Sequence, residues 1–368
     1  METGMDESVL QVARHFMLPE GTLRAEPFGN GHINRTYLIT AEGATQRYIL
    51  QRINQYVFHH PDQVQENILK VTSHLREKIL REGGDPDRET LRVIPAADGK
   101  PYYQDGENNW WRVFPCVEET YSQDLPDSPA LFEKCGAAFG RFQRRLNDFP
   151  ADSLYETIPG FHDTPGRMKA LEEAARKDEM GRLKEVRSEL DFCLRRAEWI
   201  GKLTEGLREG RLPLRVTHND TKLNNVLLDR KTGDAVCVVD LDTVMPGLMA
   251  YDYGEAIRTG ACTAAEDAQD LDSINLSIPL VQAYSRGFLR ELRAEISEAE
   301  NKSLPWGARM MTLENGMRFL TDYLTGDHYF AIHRPRHNLD RARAQLTLLK
   351  RMEEHWEEML AAVEETTR

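Results

Sequence analysis

A two-lobed α+β fold is what this sequence predicts, with a β-rich N-terminal lobe over residues 1–116 and a larger helical lobe over residues 117–368. Three observations lead there. Short apolar runs broken by Gly turns fill the first hundred or so residues, and apolar spacing of three and four takes over after Tyr121. A strand-like stretch over residues 214–242 then interrupts the helical texture. A chain of 368 residues also exceeds one ordinary core, so two lobes are the expected division.

The elements follow in order. The turn cluster Phe28-Gly29-Asn30-Gly31-His32 leads into residues 36–40, and after Gly43 comes the run 48–53. Two β-rich runs about a Gly turn make a hairpin. Residues 61–80 space Val64, Ile68, Val71, Leu75 and Ile79 as an amphipathic helix does. Residues 91–94 and 110–114 read as further strands, and Pro115 ends the pattern. In the helical lobe, Ser128-Pro129 offers a cap and a first helical position. Leu131, Cys135, Ala138, Phe142 and Leu146 then mark one buried face. A helix is expected over about 182–207, and three long helical patterns from residue 271 onward.

Composition narrows the function classes. Sixty acidic against 47 basic residues give a net charge of −13, a field that repels nucleic-acid backbones and anionic lipid. Any site for nucleotide phosphate must therefore supply its own cations or metal. No apolar run approaches the roughly 18 residues of a membrane span, and Glu2, Asp6 and Glu7 stand where a signal peptide would be basic. Five scattered cysteines without a CxxC pair predict neither a zinc site nor a disulfide framework. A reduced, cytoplasmic protein without nucleic-acid or membrane partners is the expectation.

The chemistry is concentrated in Thr217-His218-Asn219-Asp220-Thr221-Lys222-Leu223-Asn224-Asn225, followed after an apolar run by Asp240-Leu241-Asp242. His, Asp and Asn stand at 0, +2 and +7 between two apolar strands, with a DxD after the second. Phosphoryl transfer from a nucleotide needs one carboxylate to hold the acceptor hydroxyl. It also needs an oxygen ligand and a second carboxylate to hold Mg²⁺ on the phosphates. Asp220, Asn225 and Asp240 are those three groups. Each alone is an ordinary turn or strand-end residue; the combination between strands is what carries the reading.

With Asp240, this His-x-Asp-x4-Asn pattern resembles the aminoglycoside phosphotransferase and choline kinase superfamily, whose fold is similar to that of protein kinases. Within it, the chain most resembles bacterial N-acetylhexosamine 1-kinases. The segments that carry the likeness are residues 29–34, 48–54, 217–225, 319–327 and 337–343. The resemblance implies ATP and Mg²⁺ as the nucleotide and metal, and a small-molecule sugar phosphorylated at its anomeric hydroxyl. It implies Asp220 as the group that orients and deprotonates that hydroxyl, and Lys222 as the cation facing the γ-phosphate. Asn225 and Asp240 would hold the metal, and Asp242 a second metal or a substrate hydroxyl. His32, Arg318 and Tyr329 would contact the sugar.

The chain departs from protein kinases in three ways. Asn219 replaces the Arg between His and Asp, and Asp240-Leu241-Asp242 replaces DFG, so protein substrates are not expected. The β3 lysine is also absent: Gln51 or Arg52 stands there, and phosphate neutralisation must come from Arg52 or from elsewhere. Gly29 and Gly31 could form a phosphate-covering loop or an ordinary hairpin turn. Glu66 either pairs with Arg52, as the kinase lysine–glutamate pair does, or sits on a solvated helix face. Arg318 and Asp322, four apart on a helix, have a surface ion pair as their default. Two rivals stay in view: a kinase for an amino alcohol, aminoglycoside or other sugar, and a catalytically silent binding relative.

Overall fold

The computed structural model describes residues 2–29 and 33–367, and the chain clusters into two compact units. The first comprises residues 1–122, 148–158 and 226–246; the second comprises 123–147, 159–225 and 247–368. The expected α+β architecture is present, with a sheet in the N-terminal region and helices through most of the C-terminal part.

In the first unit, helix α1 (Glu2–Ala13) precedes β1 (Leu23–Pro27), β2 (Arg35–Ala41), β3 (Tyr48–Arg52), α2 (Pro61–Arg81), α3 (Pro86–Glu89), β4 (Tyr103–Gln104) and β5 (Trp110–Pro115). The strands form one antiparallel sheet in the order β1-β2-β3-β5-β4. Strand pleating sends alternate side chains to opposite faces. Tyr37, Ile39, Tyr48, Leu50 and Val113 join Val9, Val12 and Phe16 in one core. Thr36, Gln51 and Arg112 are cross-strand partners on the opposite face. Residues 91–94 do not form the expected strand, since only Ile94 makes an isolated bridge, to Val113. A smaller sheet pairs β6 (Thr120–Tyr121), β8 (Val226–Asp229) and β9 (Ala235–Val238). The intervening strand β7 (Arg215–Thr217) belongs to the second unit.

The second unit is helical: α4 (Pro129–Arg145), α5 (Thr164–Lys177), α6 (Arg187–Leu194), α7 (Lys202–Arg208), α8 (Met249–Gly260), α9 (Ile278–Leu292), α10 (Glu298–Thr325), α11 (His337–Glu354) and α12 (Trp356–Thr367). Ser128 caps α4 by accepting from the Leu131 N–H, with Pro129 at the first helical position. The helix expected over 182–207 is instead a 3₁₀ turn, α6, a run of turns and α7. Gly201, a poor helix former, sits at its second break. Helices α8 and α10 cross at glycine: a Cβ on Gly307 would lie 1.9 Å from the Ala250 carbonyl oxygen, and one on Gly254 2.4 Å from that of Gly307. Only hydrogen fits there, so α8 is pinned against the long helix. Among the described residues no helix is long and apolar enough to cross a membrane.

Candidate active site

The loop after β7 builds its geometry around a buried acid. Asp252, on α8, is fully buried. Its carboxylate accepts from the His218 N–H at 2.9 Å, the Asn219 N–H at 2.7 Å and the Gln143 amide at 2.6 Å. The Thr221 hydroxyl donates to the Asp252 carbonyl at 2.5 Å. Asn219 adopts a left-handed φ of 65°, which asparagine tolerates better than most residues. His218 packs edge-on to Phe139 and Phe142, with ring centroids 5.5 and 5.9 Å away, so its ring is a core element of the loop. Its Nδ1 accepts from the Asp220 N–H at 3.3 Å.

These anchors bring Asp220, Lys222 and Asn225 together. The Lys222 ammonium is 2.8 Å from Asp220 Oδ1. The Asn225 amide donates to Asp220 Oδ2 at 3.1 Å and to the Asp220 carbonyl at 2.8 Å. Asn225 spends its N–H group on Asp220 and keeps Oδ1 without a protein donor among the described residues. Burial works against the Asp220 charge, but the Lys222 ammonium, together with His218 and the Asn225 hydrogen bond, holds the carboxyl below the ordinary carboxylate range. Lys222 is correspondingly raised, first by Asp220 and further by Glu255. A carboxylate kept ionised beside a partly exposed cation can accept a proton while the cation meets a nearby anion.

In the first unit, Asp240 is exposed and adopts a left-handed φ of 59° at the turn after β9. Asp242, expected as a metal ligand, has a different partner. It is buried, forms an ion pair with the buried Arg112 guanidinium, and accepts from the Asn34 amide at 2.6 Å. Arg112 Nε in turn donates to Gln51 Oε1 at 2.9 Å, and the Gln51 amide donates to Thr36 Oγ1 at 3.1 Å. A carboxylate already neutralised by a guanidinium is a poor metal ligand.

The remaining expectations for this unit divide. Arg52 follows Gln51 on β3, so the pleat turns it away from the face that carries Gln51 and Arg112. Glu66 does not pair with Arg52; it binds Lys70 at 2.8 Å, both side chains half-buried on α2. Gly29 has a φ of 74° with open space around it, a conformation that suits glycine at a turn. Gly31 and His32 lie outside the described residues.

Arg318 and Tyr329 do meet. The guanidinium carbon is 5.8 Å from the Tyr329 ring centre, 5.3 Å from Phe330 and 5.6 Å from Phe161. The default Arg318–Asp322 ion pair is absent. Asp322 accepts instead from the N–H groups of His328, Tyr329 and Phe330, each at 2.9 Å, and so shapes the segment that presents Tyr329. Arg167 joins the group by donating to the Phe161 carbonyl at 3.2 Å. Burial and the neighbouring Arg318 both lower it. Glu314, one turn before Arg318, is fully buried against His162 at 3.0 Å and Thr164 at 2.9 Å.

Sequence reasoning missed Asp252, Gln143, Arg112 and Asn34. Asp252 carried a signal: it is an acid inside the apolar run Met249-Ala250-Tyr251-Asp252-Tyr253. Such an acid needs buried donors.

Comparison with known proteins bears on the family and the fold. Residues 24–292 match the phosphotransferase enzyme family. Among solved structures, an aminoglycoside phosphotransferase from Alicyclobacillus acidocaldarius superposes with a TM-score of 0.58 at 14% identity, covering 97% of this chain and 94% of that one. Choline kinase from Cryptosporidium parvum gives 0.57 at 11% identity, covering 98% and 99%. A spectinomycin phosphotransferase in complex with ADP and spectinomycin gives 0.53 at 14% identity, covering 98% and 97%. The protein-kinase-like α+β fold is shared with these structures. With the family match spanning most of its length, the chain belongs to the phosphotransferase enzyme family.

Proposed function

We propose that this chain transfers the γ-phosphoryl of ATP to the anomeric hydroxyl of an N-acetylhexosamine. The observation that carries the phosphotransfer reading is the Asp220–Lys222–Asn225 cluster on its anchored loop. Asp220 takes the acceptor's hydroxyl proton as the acceptor oxygen bonds to the γ-phosphorus. The bond to the β–γ bridging oxygen breaks and ADP leaves. In such a loose transition state most of the acceleration is positioning and electrostatics, so one well-placed carboxylate suffices. Lys222 offsets charge on the transferring group.

Asn225 Oδ1 and the exposed Asp240 carboxylate are hard oxygen donors of the kind Mg²⁺ takes. They are the residues that would hold it, and when bound it would neutralise phosphate charge. The sugar reading rests on the likeness to the 1-kinases and on Arg318 and Tyr329. A guanidinium with no direct carboxylate ion pair among the described residues, between aromatic faces, suits a carbonyl or hydroxyl oxygen. With Arg167 beside it, it disfavours a cationic amino alcohol or aminoglycoside.

The test is a kinase screen over free sugars, amino sugars and amino alcohols, with phosphorus NMR of the product. A glycosyl 1-phosphate from N-acetylglucosamine or N-acetylgalactosamine that is lost with Arg318→Ala supports the reading. Phosphorylated choline or a 6-phosphate refutes it.

A further inference from the structure

The chain belongs to a phosphotransferase family yet lacks the β3 lysine that would hold nucleotide phosphates, and the residue facing its place is a buried cation. Gln51 occupies β3, and its cross-strand partner on β5 is Arg112. Arg112 is 1% exposed, so its charge was removed from water at a cost that a packing role alone would not require. Of its three nitrogens, Nε donates to Gln51 and Nη1 lies against Asp242. Nη2 has no partner among the described residues.

The location is specific as well. Asp242, the counter-ion of Arg112, follows Asp240 by two residues, so their α-carbons are at most about 7 Å apart. Asp240, which would hold a metal that neutralises nucleotide phosphates, is therefore close in the chain to the carboxylate paired with Arg112. The pair also has the form of a cation fixed by a buried carboxylate with one donor left over. That is the arrangement that presents a charged N–H to an incoming anion.

We propose that Arg112 is the phosphate-binding cation of the nucleotide site, taking the place of the missing β3 lysine from the neighbouring strand. Asp242 is then its counter-ion and positioning partner, with Gln51 fixing the guanidinium plane. The anion bound is the α/β-phosphate of a nucleoside di- or triphosphate. This rests on reading the chain as a nucleotide-dependent phosphotransferase, and it requires nothing about the acceptor.

The experiment is calorimetric titration of the full chain with Mg²⁺·ADP and with adenosine, which shares the base and ribose but has no phosphate. Arg112→Met is expected to weaken ADP by about 10- to 100-fold, the loss of one charge-assisted hydrogen bond, with adenosine within about threefold. Adding Gln51→Lys to that variant returns a cation to the same face and should recover most of the ADP affinity. Because Arg112→Met strands a buried carboxylate, Arg112→Met/Asp242→Leu replaces the whole pair with apolar groups of similar size. It should stay folded and show the same selective loss. Arg112→Lys, which keeps the charge and the pairing, should hold ADP within about tenfold of the parent.

Unchanged ADP affinity in the apolar double variant, or equal weakening of ADP and adenosine, overturns the proposal while leaving the family function in place. So does loss of fold in both the apolar double variant and Arg112→Lys, which would make Arg112 a structural residue. If the unsubstituted chain binds no ADP, both the proposal and the nucleotide-dependent reading fall.

Discussion

Replacing Asp252 by Asn changes one atom and should disable the catalytic loop without touching it. The carboxylate accepts three hydrogen bonds in a fully buried position: two from consecutive backbone N–H groups and one from Gln143. Asparagine has one acceptor oxygen. If that oxygen keeps the His218 N–H and Gln143, its NH₂ group faces the Asn219 N–H, donor against donor. One charge-assisted bond is lost, about 1.5–3 kcal/mol, and one buried donor is left unpaired, about 1–3 kcal/mol. The total is about 2.5–6 kcal/mol, concentrated where Asn219 holds its left-handed turn immediately before Asp220.

Local opening should then become about two to four orders of magnitude more frequent. Amide hydrogen exchange followed by mass spectrometry would show this as faster exchange over residues 217–221, with α9 and α12 unchanged. Turnover should fall by about 10²-fold, since a shift of about 1 Å in a reacting group costs that much. Exchange and turnover both within threefold of the parent would show that Asp252 does not hold the loop, and the account of Asp220's placement would fail with it.

Three further outcomes are expected. Asp220 is held below the ordinary carboxylate range, so it stays ionised near neutral pH and the acid limb of kcat/KM lies below that range. Lys222→Met removes the main group opposing burial and leaves only His218 and the Asn225 hydrogen bond, so it raises Asp220 and moves the limb to higher pH; an unmoved limb in the rate profile would refute the pairing. Asp240→Ala should abolish the Mg²⁺ dependence of nucleotide binding, because an ion among anionic phosphates needs an anionic anchor; unchanged Mg²⁺·ATP affinity by calorimetry removes Asp240 from that role. Gly307→Ala should destabilise the chain by about 1–3 kcal/mol through overpacking against Ala250, read as a lower urea midpoint, and a midpoint equal to the parent's would contradict the crossing geometry.

The parts legible in the sequence were those written in short stretches. Asp220, Lys222 and Asn225 lie within six consecutive residues, so their spacing alone implied the cluster the structure shows. The hairpin of β2 and β3 and helix α2 were likewise visible as local periodicity. Arg112, Gln51 and Asp242 are separated by 61 and 130 positions, and nothing local marks a guanidinium as the partner of a distant acid. Arg52 looked the better cation because it adjoins the lysine position in sequence, whereas strand pleating makes an adjacent residue the one that points away. Asp322 failed as a partner for Arg318 for a similar reason: helical spacing favours the ion pair, but three backbone N–H groups past the helix end claimed the carboxylate.

The glycine crossing of α8 and α10 ties two tasks to one frame. The anchor Asp252 lies on α8 two residues before Gly254, and Glu314 and Arg318 lie on α10 seven and eleven residues after Gly307. At about 1.5 Å per residue, Arg318 stands roughly 16 Å along the helix from the crossing. Side chains on that far stretch can be exchanged without altering the contact that fixes the catalytic loop. Lineages could therefore diversify their acceptors by drift along one helix while the chemistry of Asp220 is inherited intact, and a designer seeking a new acceptor has the same freedom, beginning beyond residue 314.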